Sequence, residues 1–148
     1  MSTIKAILAS HRPLYHIASE SLVIDAVKHM VEKNVGALPV LDGDRLVGVF
    51  SERDLMRQVI VRGLDPNAVK VADVMSTTLT VADIDDDHTT CLQKMSRGKC
   101  RHLPVVDGDK LVAFLSARDL MRAEVEGKNY EIKSLTHYIH YVPPKTGE

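Results

Sequence analysis

Apolar and polar positions along this chain change their period several times, and the same series of changes occurs twice. Val23, Val27 and Met30 recur at near-helical spacing and predict a helix from about Ser21 to Lys33. Gly36 lies just past its end, where a C-cap glycine belongs. A short strand through Tyr15–Ile17 precedes it. The apolar runs Ala37–Leu41 and Arg45–Phe50 flank Asp42-Gly43-Asp44, and Asp-Gly between two such runs predicts a hairpin. Ser51 then opens a helix through Asp54, Leu55 and Met56 to about Val61. Downstream the order returns: a strand through Leu79–Val81, a helix carrying Leu92 and Met95 and ending at Gly98, a hairpin and a final helix. The expected class is α/β (α+β), built from two β-α-β-β-α units.

The second half of each unit is nearly a copy of the other. LPVLDGDRLVGVFSERDLMR (Leu38–Arg57) and LPVVDGDKLVAFLSARDLMR (Leu103–Arg122) share 14 of 20 positions at an offset of 65. Upstream the likeness thins to pairs such as Met30 with Met95 and Val27 with Leu92. TIKAIL (Thr3–Leu8) resembles KVADVM (Lys70–Met75) at an offset of 67. The chain therefore divides into repeat 1 (1–65), repeat 2 (66–126) and a tail (127–148), with the Gly- and Pro-containing RGLDPN (Arg62–Asn67) as linker. Each unit is too small for a comfortable core, so the two should associate about a pseudo-two-fold axis.

Each copy closes on Ser-x-x-Asp: Ser51-Glu52-Arg53-Asp54 and Ser116-Ala117-Arg118-Asp119. A strand ending where a helix begins gathers free N–H groups and the positive end of the helix dipole. The serine hydroxyl adds a donor, and Arg53 or Arg118 adds a fork suited to phosphate. The aspartate repels phosphate but suits the vicinal hydroxyls of a ribose. The same spacing is also a capping-box variant, whose side chains serve only the helix's own N–H groups. Duplication copies a cap as faithfully as a site.

Composition narrows the function classes. Nineteen Lys and Arg against twenty Asp and Glu leave a net charge of −1, which argues against a nucleic-acid binder. Cys91 and Cys100 form no CxxC and are expected to be reduced. No apolar run approaches the ~20 residues of a membrane span, and MSTIKAILASHRP lacks a signal-peptide h-region. A cytoplasmic location is expected, with no membrane association. Asp83–Asp87 reads as a solvated loop, and His137-x-x-His140 lacks further ligands at metal-site spacing. No metal is expected. Nor does the chain show a P-loop, GxGxxG or nucleophile–base order, so no enzyme is expected. The Met30/Met95 and Met56/Met121 pairs fit a core or a dimer seam. The tyrosine-bearing tail NYEIKSLTHYIHYVPP suits either a short helix or an edge strand, docked on a partner subunit or over a ligand.

The paired Leu-Pro-Val strands, Asp-Gly turns and Ser-x-x-Asp corners resemble a tandem pair of CBS domains (named for cystathionine β-synthase), over about Thr3–Ala123. The resemblance is to stand-alone, bacterial-type regulatory modules. It implies a compact α/β pair, two pairs joined as a disc-like homodimer, and clefts for AMP, ADP, ATP, S-adenosylmethionine or NAD(H). It implies regulation through an unidentified downstream protein and not catalysis; a nucleotide-acting enzyme and an adaptor with empty clefts are the alternatives. Carried over by position, the phosphate serines are Ser51 and Ser116 and the ribose aspartates Asp54 and Asp119. The adenine edge falls on Gly36, Ala37 and Leu38 before Pro39, and on Arg101, His102 and Leu103 before Pro104. The walls of the base fall on His16 and Ile17, and on Thr80 and Val81. Both clefts keep Ser and Asp, yet they differ. Lys99, Arg101 and His102 stand where the first copy has Asn34, Gly36 and Ala37, which favours phosphate in the second cleft. Asp85-Asp86-Asp87 would oppose it if that run faced the cleft. AMP and NAD(H) are the favoured ligands, NAD(H) because its two phosphates could use the arginine-rich cleft.

Overall fold

Two short hydrophobic runs, Ala37-Leu-Pro-Val40 and Leu103-Pro-Val105, are buried without alternation, as the central strands of covered sheets must be. The structure, a computed structural model, describes Ile4 and residues 14–122. In the first half β1 (Ile17–Ala18) leads to α1 (Val23–Lys33) and the hairpin β2 (Ala37–Asp42) and β3 (Arg45–Ser51). A helical segment follows, α2, comprising Glu52–Asp54 and a wider π-helical stretch, Leu55–Ile60. The second half repeats the series: β4 (Ala82–Asp83), α3 (His88–Gly98), β5 (His102–Asp107) and β6 (Lys110–Ser116). Residues 117–122 are again helical.

Each half holds a three-stranded sheet, in the orders β1-β2-β3 and β4-β5-β6. The outer strand runs parallel to the middle one (Ile17 opposite Val40, Ala82 opposite Val105) and the hairpin is antiparallel. Both hairpins carry a register shift at the same place, Val40/Leu41 and Val105/Val106. Gly43 and Gly108 turn at φ +61° and +63°, which only glycine adopts without strain.

Three details differ from the sequence reading. The left-handed residues closing α1 and α3 are Asn34 (φ 54°) and Lys99 (φ 52°), not the glycines. A Cβ on Gly36 would crowd Glu52 Oε1 at 3.1 Å, and one on Gly98 would strike the Thr80 side chain. β1 and β4 begin two to three residues later than expected, so Tyr15 and Leu79 precede the strands. The third difference is the path of the chain. KVADVM matches the opening of repeat 1 in sequence, yet Val71 and Val74 sit in the first core with Val23, Met30, Leu38, Val40 and Phe50. Val71 N–H donates to the Ser21 carbonyl (2.8 Å), and Ala72 N–H to that of Ser19 (3.0 Å). Ile4 is buried in the second core beside Ala82, Cys91, Met95, Leu103 and Leu115, its N–H donating to the Asp86 carbonyl. Each half is thus closed by a segment that comes before the other half in the chain. Met30 and Met95 belong to these cores, whereas Met56 and Met121 are exposed.

The acidic run is spent locally. Asp87 caps α3 by accepting from Thr90 N–H (2.7 Å), and Asp86 accepts from Lys94 (2.7 Å), which holds its carboxyl below the usual range. The tail and its histidine pair lie outside the described residues.

Candidate functional site

The two halves enclose a cavity of about 920 Å³, entered by both Ser-x-x-Asp corners. β3 and β6 touch across it, so the ends of the hairpins aim both corners into one space. The corners are built alike. Asp54 N–H donates to Ser51 Oγ (3.2 Å) and Ser51 N–H returns to Asp54 Oδ2 (2.9 Å). Asp119 N–H donates to Ser116 Oγ (3.1 Å) and Ser116 N–H to Asp119 Oδ2 (2.8 Å). The capping box is therefore real in both copies. It uses one carboxylate oxygen of each aspartate and leaves the other oxygen over.

What becomes of that second oxygen differs. Asp54 Oδ1 accepts from Ser76 Oγ (2.9 Å), and the Ser51 hydroxyl donates to Asp54 Oδ2 (3.0 Å). Asp119 Oδ1 and the Ser116 hydroxyl proton have no partner among the described residues.

Of the residues singled out from sequence, Ser51, Arg53, Asp54, Gly36, Ala37 and Leu38 line the cavity from the first half. Thr80, Lys99, Arg101, His102, Pro104, Ser116, Arg118 and Asp119 line it from the second. His16, Ile17, Pro39, Val81 and Leu103 do not. Ile17 is in strand β1 facing the first core, and Pro39 and Leu103 are enclosed in their sheets. Because β1 and β4 start late, the lining passes instead to Leu14, Tyr15, Thr78 and Leu79, a shift of one to three residues. Sequence reasoning also missed Glu52, Ser76 and Phe114. Glu52 and Phe114 sit at repeat positions where the copies disagree (Ala117 and Val49), and that disagreement was the available signal. Ser76 had none, since it arrives by the crossing segment.

The second half adds an aromatic surface. The His102 ring stacks on Phe114 with centroids 5.3 Å apart and planes 8° from parallel. Burial pushes His102 below its ordinary value; Asp119 and Glu52 oppose this and Arg101 adds to it. The imidazole is thus neutral near pH 7 and offers one donor and one acceptor. On the first half Tyr15 stands edge-on to His29 and beneath Lys33 Nζ at 5.3 Å. No group of three or more His, Cys, Asp or Glu is gathered as a metal site among the described residues, and none of their helices is long and apolar enough to cross a membrane.

Comparison with known proteins agrees with this geometry. The CBS domain model matches residues 4–61 and 71–126. The Arabidopsis thaliana CBS domain-containing protein CBSX3, mitochondrial, is 32% identical over 126 residues, 82% of this chain and 61% of the relative. A second Arabidopsis relative, CBSCBSPB2, is matched over only 18% of its length. Among solved structures, a protein with CBS domains from Burkholderia ambifaria superposes with a TM-score of 0.80 at 32% identity, covering 84% of this chain and 95% of that one. CBSX2, solved in complex with AMP, gives 0.65 at 30% identity over 78% and 90%. With two matched copies, a repeated sheet and a shared cavity, the chain belongs to the CBS-domain family.

Proposed function

We propose that the chain is a regulatory module that binds an adenosine nucleotide, with AMP or NAD(H) the first choices. The observation that carries this reading is the cavity of about 920 Å³, into which serine hydroxyls, arginines and aspartates converge beside an aromatic surface. Cationic forks suit phosphate, a free carboxylate oxygen suits ribose hydroxyls, and an aromatic face suits a base. AMP in the related CBSX2 structure supports the choice of ligand. The module acts by differential binding to two conformations or to a partner, without turnover. Pairs join as a homodimer, for which the exposed Met56, Ile60 and Met121 offer an apolar seam. The two repeats (1–65 and 66–126) form the ligand-binding pair, and the tail (127–148) serves the partner. Two free thiols, Cys91 and Cys100, fit a reducing, cytoplasmic setting.

The test is calorimetry and thermal shift with AMP, ATP, NADH and S-adenosylmethionine, followed by chromatography of the mixture. A bound ligand recovered unchanged, with a rise in Tm, supports the module. Turnover would move the reading to an enzyme. Absence of heat and shift with all four would move it to an adaptor with empty clefts.

A further inference from the structure

We infer that the cavity takes one nucleotide per chain, seated on the second half, and that Ser76 and Glu52 close the first half to it. This rests on the nucleotide reading above and adds the occupancy of the site.

Three independent differences between the halves point the same way. The first is hydrogen-bond availability. Asp54 has both carboxylate oxygens engaged, Oδ2 by Ser51 and Oδ1 by the Ser76 hydroxyl at 2.9 Å. Among the described residues nothing donates to Asp119 Oδ1, and the Ser116 hydroxyl still has its proton to give. A diol donates two hydrogen bonds and needs a carboxylate with acceptor capacity to spare. Of the roughly four acceptor positions on a carboxylate, Asp54 has three filled and Asp119, among the described residues, has one filled, so only the second half takes both hydroxyls without first breaking a bond. The lock arises from the crossing of segments: Ser76 N–H and C=O pair with Val49 (2.9 and 3.0 Å), which holds its hydroxyl at Asp54. At the 67-residue offset the residue matching Ser76 is Ala9, which has no hydroxyl.

The second difference is charge. Among the described residues lining the cavity, the first half contributes one cation, Arg53, and two carboxylates, Glu52 and Asp54. The second contributes three cations, Lys99, Arg101 and Arg118, and one carboxylate, Asp119, although Glu52 of the first half reaches His102 as well. The Glu52 carboxylate stands beside Gly36, with Oε1 3.1 Å from where a Cβ on that glycine would sit, so it crowds the edge of the first half and adds negative charge there. The matching residue is Ala117. Like charges repel and opposite charges attract across the same short distance, so an anionic ligand distinguishes the halves.

The third difference is the aromatic surface. Phe114 and His102 form a stacked pair on the second half, where the first has Val49 and Ala37. Tyr15, on the first half, already has Lys33 over its ring.

The experiment is titration calorimetry with AMP on the full chain. One AMP per chain is expected for the unaltered protein. Glu52→Ala/Ser76→Ala, which copies Ala117 and Ala9 into the first half, is expected to raise the count to two. Asp119→Ala is expected to weaken AMP binding at least tenfold, and in the double variant to return the count to one. Two equivalent sites in the unaltered protein would overturn the inference. So would a double variant that still binds one, or full-strength binding by Asp119→Ala. The double variant gains binding, so misfolding cannot imitate its expected result. Absence of AMP heat in every protein would sink the nucleotide reading itself.

Discussion

Gly48→Ala tests the crossing of the chain that sets up this asymmetry. Gly48 lies in β3, where the segment ending at Ser76 runs over the sheet. A Cβ there would stand 2.5 Å from Met75 Sδ, 2.9 Å from Met75 Cγ and 2.9 Å from the Ser76 carbonyl oxygen. Ordinary contacts are about 3.5–4.0 Å, so something must move by roughly 1 Å. Met75 can turn away, but the Ser76 carbonyl is held by Val49 N–H at 3.0 Å. Overpacking of this kind costs about 1–3 kcal/mol. Alanine also restricts the unfolded chain, which returns about 0.4–1 kcal/mol. The net expectation is a loss of about 1–2 kcal/mol. At about 2.1 cal/mol/K per residue, the chain's 148 residues convert that to a fall in Tm of roughly 3–6 °C. Scanning calorimetry reads it directly. Met75→Ala in the same background separates the two obstacles: a favourable coupling assigns the cost to the thioether, and none assigns it to the carbonyl. A Tm that rises would refute the reasoning, because it would mean that only the entropy gain operates. Ala113, at the same position in the second half, already carries its Cβ in a buried site.

The other predictions concern packing and titration. Val71→Ala removes two buried carbons from the first core and should cost roughly 2 kcal/mol, read as a lower urea midpoint; a loss below about 0.5 kcal/mol would mean the crossing segment is not structural. His102 is held below its ordinary value by burial, so the unfolded chain takes up the proton first as pH falls. Its contribution is full above about pH 6.5 and declines below, at up to about 1.4 kcal/mol per pH unit until the folded protein also protonates. His102→Gln should flatten that part of the stability–pH curve, and an unchanged slope would count against it. Burial pushes the Cys91 thiol up to about 11 and raises that of Cys100. At pH 8 a thiol reagent should leave Cys91 unmodified in folded protein and titrate both thiols in urea; rapid modification of Cys91 without denaturant would be the contrary result.

The repeat, the hairpins and the serine–aspartate corners were legible because local rules govern them. Asp-Gly turns, alternating runs and a cap three residues long are written in neighbouring residues, and both capping boxes formed as spelled. The differences between copies were legible as well: Arg101 and His102 against Gly36 and Ala37 give the second half the extra cation and ring that line its side of the cavity. Strand starts were less so, because β1 and β4 are two residues each and pair with strands more than twenty residues away. That is why His16 and Val81 yielded to Tyr15 and Leu79 at the cavity wall. Tertiary structure alone decided that Val71 closes the first core and Ile4 the second, since a buried methyl records no partner in its own sequence. It alone brought Ser76 to Asp54. The two Ser-x-x-Asp corners share Ser, Arg and Asp and differ in sequence at Glu52 and Ala117. Their aspartates become unequal through a hydroxyl 22 residues away, held in place by a chain crossing that no local spacing encodes.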